Sequence, residues 1–223
     1  TGTLGHAGFS SRANGIPVKS PGQVLVPQAF GSFSVSGPVT AGNEFGYFGA
    51  GNTGPAESKM STVDRVDYSN DTATASSKGS LSAARYRTQA TGNSNFGYWM
   101  GGNSAVISKV DRFDYSNDTA TALDRGNLEN GRQYASATGN ANFGYVAAGY
   151  DVPGGLSSEV QRVDYSNDTA LSVQKGSLTA ARYLLAATGD QSFGYFAGGG
   201  PLPAVLSTVD RVDYSNDTAT ASP

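Results

Sequence analysis

The chain has no cysteine and only one histidine among its 223 residues. Without cysteine it can form no disulfide, no thiolate metal site and no cysteine nucleophile. The histidine, His6, stands in a Gly/Ser-rich stretch with no second ligand pattern nearby, so no His-based triad or metal site can be assembled. We predict no cofactor, no bound metal and no catalytic residue, which means that the chain is not an enzyme.

Strong charge and long apolar runs are also missing. The chain has 15 basic and 18 acidic residues, for a net charge of −3. This balance offers no electrostatic footprint for nucleic acid or for an anionic membrane surface. No apolar run approaches the length of a membrane span, and the first residues lack the pattern of a signal peptide. We therefore predict no nucleic-acid partner and no insertion into a membrane.

Glycine and aromatic residues are abundant instead, with 30 Gly, 12 Tyr and 10 Phe. Gly and Thr disfavour helix, whereas aromatic residues and Thr pack well on a pleated sheet. This composition predicts an all-β fold of short strands and tight turns.

Two phrases recur four times at a period of about 50 residues, which is the range of repeat architectures. Phe-Gly-Tyr begins at Phe45, Phe96, Phe143 and Phe193. Asp-Tyr-Ser-Asn-Asp-Thr-Ala begins at Asp67, Asp114, Asp164 and Asp213. The alternation of apolar and polar residues between turn residues predicts four strands in each repeat.

The first predicted strand runs over Tyr86–Thr91, Tyr134–Thr138 and Tyr183–Thr188, each followed by a Gly-Asn or Gly-Asp hairpin turn. The Phe-Gly-Tyr segment is the second strand, and Val63–Tyr68 with its copies is the third. A Ser-Asn-Asp turn should lead into a fourth strand at Thr72–Ala75 and its copies.

Four antiparallel strands per repeat predict the blades of a β-propeller, in which each blade buries its faces against its neighbours. The pattern resembles the kelch family: an arginine opens strand one at Arg85, Arg132 and Arg182, and the aromatic strand ends in glycines. The tryptophan usual on strand four of kelch repeats is replaced here by Ala or Leu. The resemblance implies a kelch-like propeller of four four-stranded blades, either closed as a ring or part of a larger ring.

The near-verbatim repeat phrases over residues 45–223 also resemble tandem repeats of structural or fibre-like proteins of aquatic tailed phages, including cyanophages. That resemblance implies a virion setting, in an extracellular particle, with other virion proteins as partners in an oligomeric assembly.

We divide the chain into an extended N-terminal arm, 1–30, and a propeller, 31–223. The blades are predicted at about 31–80, 81–128, 129–177 and 178–223, here called repeats 1 to 4. The arm contains no acidic residue and one short apolar stretch, Val24-Leu25-Val26. It is either a disordered tail or an anchor that docks on a neighbouring subunit.

Insertions fall on one side of each repeat. The distance from Asp67 to Phe96 is 29 residues and is the same in the two later repeats, whereas the path from Phe-Gly-Tyr to the next Asp-Tyr varies between 18 and 22 residues. The variable loops, at 49–62, 101–109, 148–159 and 197–208, connect strands two and three and should share a rim with the connections between blades. Because binding residues often lie on loops held by a rigid scaffold, we predict partner contact at this rim. Its candidate residues are Met60, Ile107, Tyr150, Pro153, Leu156, Leu202 and Leu206.

Other features have structural explanations. Asp67, Ser69 and Asp71 alternate like the start of a calcium loop but lack its glycine and closing glutamate, so we expect a turn in which Asn70 and Asp71 bond the local backbone. Trp99 is expected in the core. The arginines two residues before each Asp-Tyr are expected in ion pairs within or between blades; they are Arg65, Arg112, Arg162 and Arg211. Glycosylation sequons begin at Asn70, Asn117, Asn167 and Asn216, and the turn chemistry explains them without glycans.

These observations lead to a non-enzymatic virion structural or appendage protein, of decoration or fibre-like type, that uses its scaffold for protein-protein or host-surface attachment. The alternative is a carbohydrate-binding propeller that recognises a host surface glycan.

Overall fold

The computed structural model describes residues 45–53, 58–103, 108–151, 154–201 and 203–223. The arm with Val24, Leu25 and Val26, and the rim residues Ile107, Pro153 and Leu202, lie outside these ranges. Within the described residues the fold is all-β, as predicted, with short 3-10 turns as its only helical pieces. None of its helical segments has the length and apolar character to cross a membrane.

Eighteen strands follow one another within the residues that the structure describes. The strands of repeat 1 are β1 Phe45–Gly49, β2 Asn52–Thr53, β3 Ser58–Asp67 and β4 Ser76–Arg85. Those of repeat 2 are β5 Gln89–Gly92, β6 Phe96–Met100, β7 Lys109–Asp114 and β8 Leu123–Asn127. Repeat 3 contains β9 Arg132–Gln133, β10 Ser136–Gly139, β11 Phe143–Ala147, β12 Tyr150–Asp151, β13 Gly155–Leu156, β14 Glu159–Asp164 and β15 Val173–Ser177. Repeat 4 contains β16 Ala186–Gly189, β17 Phe193–Ala197 and β18 Val209–Asp213.

The main sheets are antiparallel, and those of repeats 2, 3 and 4 follow chain order; in repeat 1, β3 pairs with β1, β2 and β4, and in repeat 3, β9, β12 and β13 form a separate small sheet. The order is β5-β6-β7-β8 in repeat 2 and β10-β11-β14-β15 in repeat 3, and β16-β17-β18 follows it in repeat 4. The Phe-Gly-Tyr strand always pairs with the Val-Asp-Arg type of strand so that Phe96 lies opposite Asp114 and Gly97 opposite Phe113. This register confirms the predicted second and third strands.

The first strands begin later than predicted. Arg87, Tyr134 and Leu184 have φ values of 60°, 57° and 57°, which lie in the left-handed region. A residue in that region interrupts an extended strand, so the regular ladder starts two residues beyond it. Sequence alternation alone contains no signal for this local turn.

The fourth strands also begin later than predicted. The Asp-Tyr-Ser-Asn segment forms a 3-10 turn, and Thr72–Ala75 continues as turn and irregular structure before β4 starts at Ser76. The same displacement occurs at β8 and β15, because the turn is longer than a simple hairpin.

The hydrophobic core lies between the sheets. Three separate clusters join repeats 1 and 2, repeats 2 and 3, and repeats 3 and 4. Trp99 is buried in the first of them against Phe113, as predicted, with ring centroids 5.8 Å apart. The first strands β5, β10 and β16 pack in succession. Within the part of the chain that the structure describes, no contact of similar extent joins repeat 4 to repeat 1.

Close backbone approach between repeats requires glycine. Gly79 donates its N–H to the Asp118 carbonyl oxygen at 2.8 Å, and Gly176 does the same to Asp217 at 2.7 Å. A Cβ on Gly79 would lie 1.9 Å from the Ala120 carbonyl oxygen. The glycine of strand four therefore fixes the distance between neighbouring sheets.

Candidate functional site

The Asp-Tyr-Ser-Asn-Asp turn is capped by its first aspartate. The Asp67 carboxylate accepts hydrogen bonds from the Ser69 backbone N–H at 2.8 Å and from the Ser69 hydroxyl at 2.6 Å. These hydrogen bonds lower the pKa of the Asp67 carboxyl below its usual value. The prediction that Asn70 and Asp71 make this turn was wrong, because Asp67 supplies the backbone contacts. The sequon asparagines of all four repeats are exposed in these turns, and whether they are modified stays a prediction.

The second aspartate of the turn reaches the preceding repeat. Asp168 accepts hydrogen bonds from Arg112 at 2.9 Å, Arg125 at 3.0 Å and the Tyr98 hydroxyl at 3.0 Å. We call this arrangement the inter-repeat clamp. Its other copies join Asp118 to Tyr47, Arg65 and Lys78, and Asp217 to Tyr145, Arg162 and Lys175. The prediction of ion pairs for Arg65, Arg112 and Arg162 is therefore confirmed, and all three pairs join neighbouring repeats.

Aromatic rings surround the clamp. Tyr98 stacks on Tyr165 of the next repeat with centroids 4.5 Å apart and an interplanar angle of 9°. Arg112 lies over the Phe96 ring of its own sheet at 4.5 Å. The same stack occurs between Tyr47 and Tyr115 and between Tyr145 and Tyr214. The two repeated phrases thus meet across every interface between sheets.

The clamp predicts loss of stability at high pH. Burial raises the pKa of Tyr47 from 10.0 to about 12; the Arg65 guanidinium lowers this pKa in part, and the Asp118 carboxylate raises it. Burial also raises the pKa of Tyr98 and Tyr145. A folded-state pKa above the unfolded one gives stability that is complete below pH 10 and is lost as the pH rises through the folded pKa. We expect unfolding and phenolate absorbance to rise together above pH 10, and a Tyr47→Phe variant to lose part of this pH dependence. Phenolate absorbance at pH 10 that the folded wild type shows and the folded Tyr47→Phe variant lacks would contradict this expectation.

A second network lies fully buried in repeats 2 and 4. The Arg182 guanidinium is 3.0 Å from the Asp210 carboxylate, and both side chains are 0% exposed. Arg182 also donates to the Phe196 carbonyl oxygen, and Asp210 accepts from the backbone N–H and hydroxyl of Thr179. Arg85 and Asp111 repeat the pair at 3.1 Å in repeat 2. In repeats 2 and 4 the arginine that opens the repeat therefore connects the start of its sheet to the third strand.

In repeat 3, different residues pair with the arginine that opens the repeat. Gln161 stands at the aspartate position and accepts from the Glu129 backbone N–H and the Ser172 hydroxyl. Arg132 instead pairs with Glu159 at 3.1 Å and Asp151 at 3.3 Å. Burial lowers the pKa of Arg132 and raises that of Asp151, because desolvation outweighs the attraction between them.

The loops between strands two and three are pinned to the same arginine segments. The N–H of Gly51, Gly102 and Gly149 each donates to the carbonyl oxygen of Arg85, Arg132 or Arg182 of the next repeat, at 2.8–3.0 Å. The variable loops and the connections between repeats therefore share one edge, as predicted; we call it the loop edge. The 3-10 turns lie at the opposite end of the strands.

The predicted partner residues are spread along the loop edge. Tyr150 lies in β12, which pairs with β9 at Gln133, and Leu156 lies in β13 opposite Tyr150. Both side chains are exposed, whereas Met60 and Leu206 are half-buried. The structure brings Tyr150 and Leu156 together, whereas Met60 lies in β3 and Leu206 lies between β17 and β18.

An aromatic cluster at this edge was missed by sequence reasoning. The Arg87 guanidinium lies between the Tyr86 and Tyr134 rings, 4.5 and 4.4 Å from their centroids. Tyr183 packs against Tyr134 with centroids 5.7 Å apart. The sequence signal for it is a tyrosine one or two residues after the opening arginine, at Tyr86, Tyr134 and Tyr183. We call these four side chains the edge cluster.

No family model and no curated protein sequence matches the chain. Among the described residues no group of three or more His, Asp or Glu side chains is arranged to hold a metal ion.

Proposed function

We propose that the chain is a non-enzymatic, kelch-like propeller module that binds a protein partner through its loop edge within a virion. The observation that carries this proposal is the contrast between the two ends of the sheets. One end repeats the same turn in every repeat, whereas the other holds loops of different length and sequence on fixed anchors. Variable loops on a rigid frame are the usual arrangement of a binding surface.

Three features support the propeller architecture. The main sheets are antiparallel, their first strands pack in succession, and the core lies between neighbouring sheets. Radial repetition of four-stranded sheets produces these contacts, because each blade covers the face of the next. We propose four blades in residues 31–223 on this basis.

The virion setting rests on the resemblance of the repeat phrases to structural and fibre-like proteins of tailed phages. A rigid module without catalytic groups suits a decoration or an appendage, with other virion proteins as its partners. Purified particles and infected-cell lysate analysed by quantitative mass spectrometry test this role. We expect the chain to co-purify with particles at a fixed ratio to the capsid protein, and its presence only as free intracellular protein would contradict the proposal.

Recognition of a host surface glycan is the second candidate, and the edge cluster favours it. Tyr134 and Tyr183 are half-buried beside Arg87. Tyr150 is exposed on β12, which pairs with β9 at Gln133, the residue before Tyr134. Aromatic faces combined with a cation suit a sugar ring and its hydroxyls. A glycan array separates the candidates: binding that a Tyr134→Ala variant loses would favour the glycan, and an array without hits would leave the protein partner.

A further inference from the structure

The first and last sheets carry unused copies of the interface that joins all the others. In each internal interface, one repeat contributes a tyrosine and an arginine, and the next contributes a tyrosine and an aspartate. Repeat 4 still has the first pair, Tyr195 and Arg211, and repeat 1 still has the second, Tyr68 and Asp71. Within the described residues no hydrogen bond, ion pair or ring stack joins these two pairs to each other or to another repeat.

The apolar residues of these two faces are exposed where their counterparts are buried. Val209 of repeat 4 is 47% exposed, whereas Val63, Val110 and Val160 at the same position are 0–1% exposed. Phe48 of repeat 1 is 37% exposed, whereas its counterparts Trp99, Val146 and Phe196 are 0–1% exposed. Burial of apolar area drives association, so both faces gain free energy when they are covered.

The polar groups of the two faces are complementary. The Asp71 carboxylate is exposed, whereas the equivalent Asp168 and Asp217 are buried in their clamps. Arg211 is exposed and lies 4.9 Å over the Phe193 ring, in the same pose that Arg112 takes over Phe96. The donor side of one clamp and the acceptor side of another are thus already formed, at opposite ends of the row of sheets.

We propose that the repeat 4 face binds the repeat 1 face of a second copy of this chain. Tyr195 would then stack on Tyr68 and Arg211 would pair with Asp71, which reproduces the tyrosine stack and the arginine–aspartate pair of the three internal clamps. The contact is head-to-tail, so two copies either close a ring with two such interfaces or continue into an open assembly. The inference does not depend on which partner the loop edge binds.

Sedimentation of the purified chain over a range of concentrations tests this proposal. We expect reversible association of the wild type, and we expect Asp71→Arg and Arg211→Asp each to weaken it at least about tenfold, since each places like charges face to face. An equimolar mixture of the two variants restores opposite charges at both interfaces, and we expect it to associate again.

Val209→Asp and Val173→Asp form a matched pair of apolar-to-charged changes. Val173 is 52% exposed on β15, which belongs to neither face, so its variant should associate like the wild type while Val209→Asp does not. Circular dichroism should show that all variants fold, because every substituted side chain is exposed.

A wild type that stays monomeric at every concentration would overturn the proposal. Association that both charge variants and Val209→Asp retain would place the contact elsewhere and have the same consequence.

Discussion

Arg182→Met is expected to lower the free energy of unfolding by about 3–5 kcal/mol, which is the usual cost of removing one partner from a buried ion pair. The substitution keeps much of the aliphatic volume but leaves the Asp210 carboxylate, 0% exposed, without its cation. The Phe196 carbonyl oxygen also loses a donor. Urea unfolding followed by circular dichroism measures the change.

An additional Asp210→Asn substitution provides the control. Asparagine removes the buried charge and can still accept the hydrogen bond from the Thr179 backbone N–H. The double variant should therefore be more stable than Arg182→Met alone, because the uncompensated charge is gone. A loss below about 1 kcal/mol for Arg182→Met would show that water or another cation reaches Asp210, and the interpretation of this pair would be wrong.

Asp168→Ala is expected to cost about 2–4 kcal/mol, because three donors on the preceding repeat lose their shared acceptor. The Tyr98 hydroxyl is buried, so its lost hydrogen bond is not replaced by water. Arg112 and Arg125 are partly exposed and recover some hydration, which places the effect below that of a fully buried pair.

Asp71→Ala is the matched control, since it changes the same residue of the same phrase in repeat 1. Its carboxylate is exposed and makes no clamp within the described residues, so we expect a change within about 0.5 kcal/mol at a concentration where the chain is monomeric. Equal losses for the two variants would mean that the aspartate acts within its own turn and not across the interface.

The sequence predicts the repeated strands well, because their signals are local. Phe-Gly-Tyr and Val-Asp-Arg are short runs of alternating residue type between turn residues, which predicts strands. The structure pairs them in the same register in all four repeats, although the loop between them varies in length. The shared loop edge follows from the antiparallel order of the strands alone.

The strand starts and the roles of charged residues were not predictable in the same way. Nothing in the residue type of Arg87 or Tyr134 signals a left-handed conformation, which the tertiary contacts impose. The aspartates of one phrase divide their roles: Asp164 caps its turn, while Asp168 crosses to the previous sheet. The local spacing of the sequence predicts a turn role for both aspartates, and only the packing of the sheets shows that their roles differ.

Repeat 3 shows how the candidate site depends on combinations of residues. Gln161 replaces a buried aspartate, and Arg132 finds Glu159 and Asp151 in the adjoining loop instead. The sequence displays the replacement but not the new partners, because these come from a variable loop. The loop edge is therefore coupled to the buried arginine network in this repeat.

A cryo-EM reconstruction of the native particle or assembly that carries the chain tests the central claim most directly. We expect partner density on the loop edge, against Tyr150 and Leu156 and beside the anchored glycines, with the 3-10 turns of the opposite end facing outwards. Partner density on the Asp-Tyr-Ser-Asn turns, with the loop edge bare, would contradict the claim that the variable loops form the binding surface.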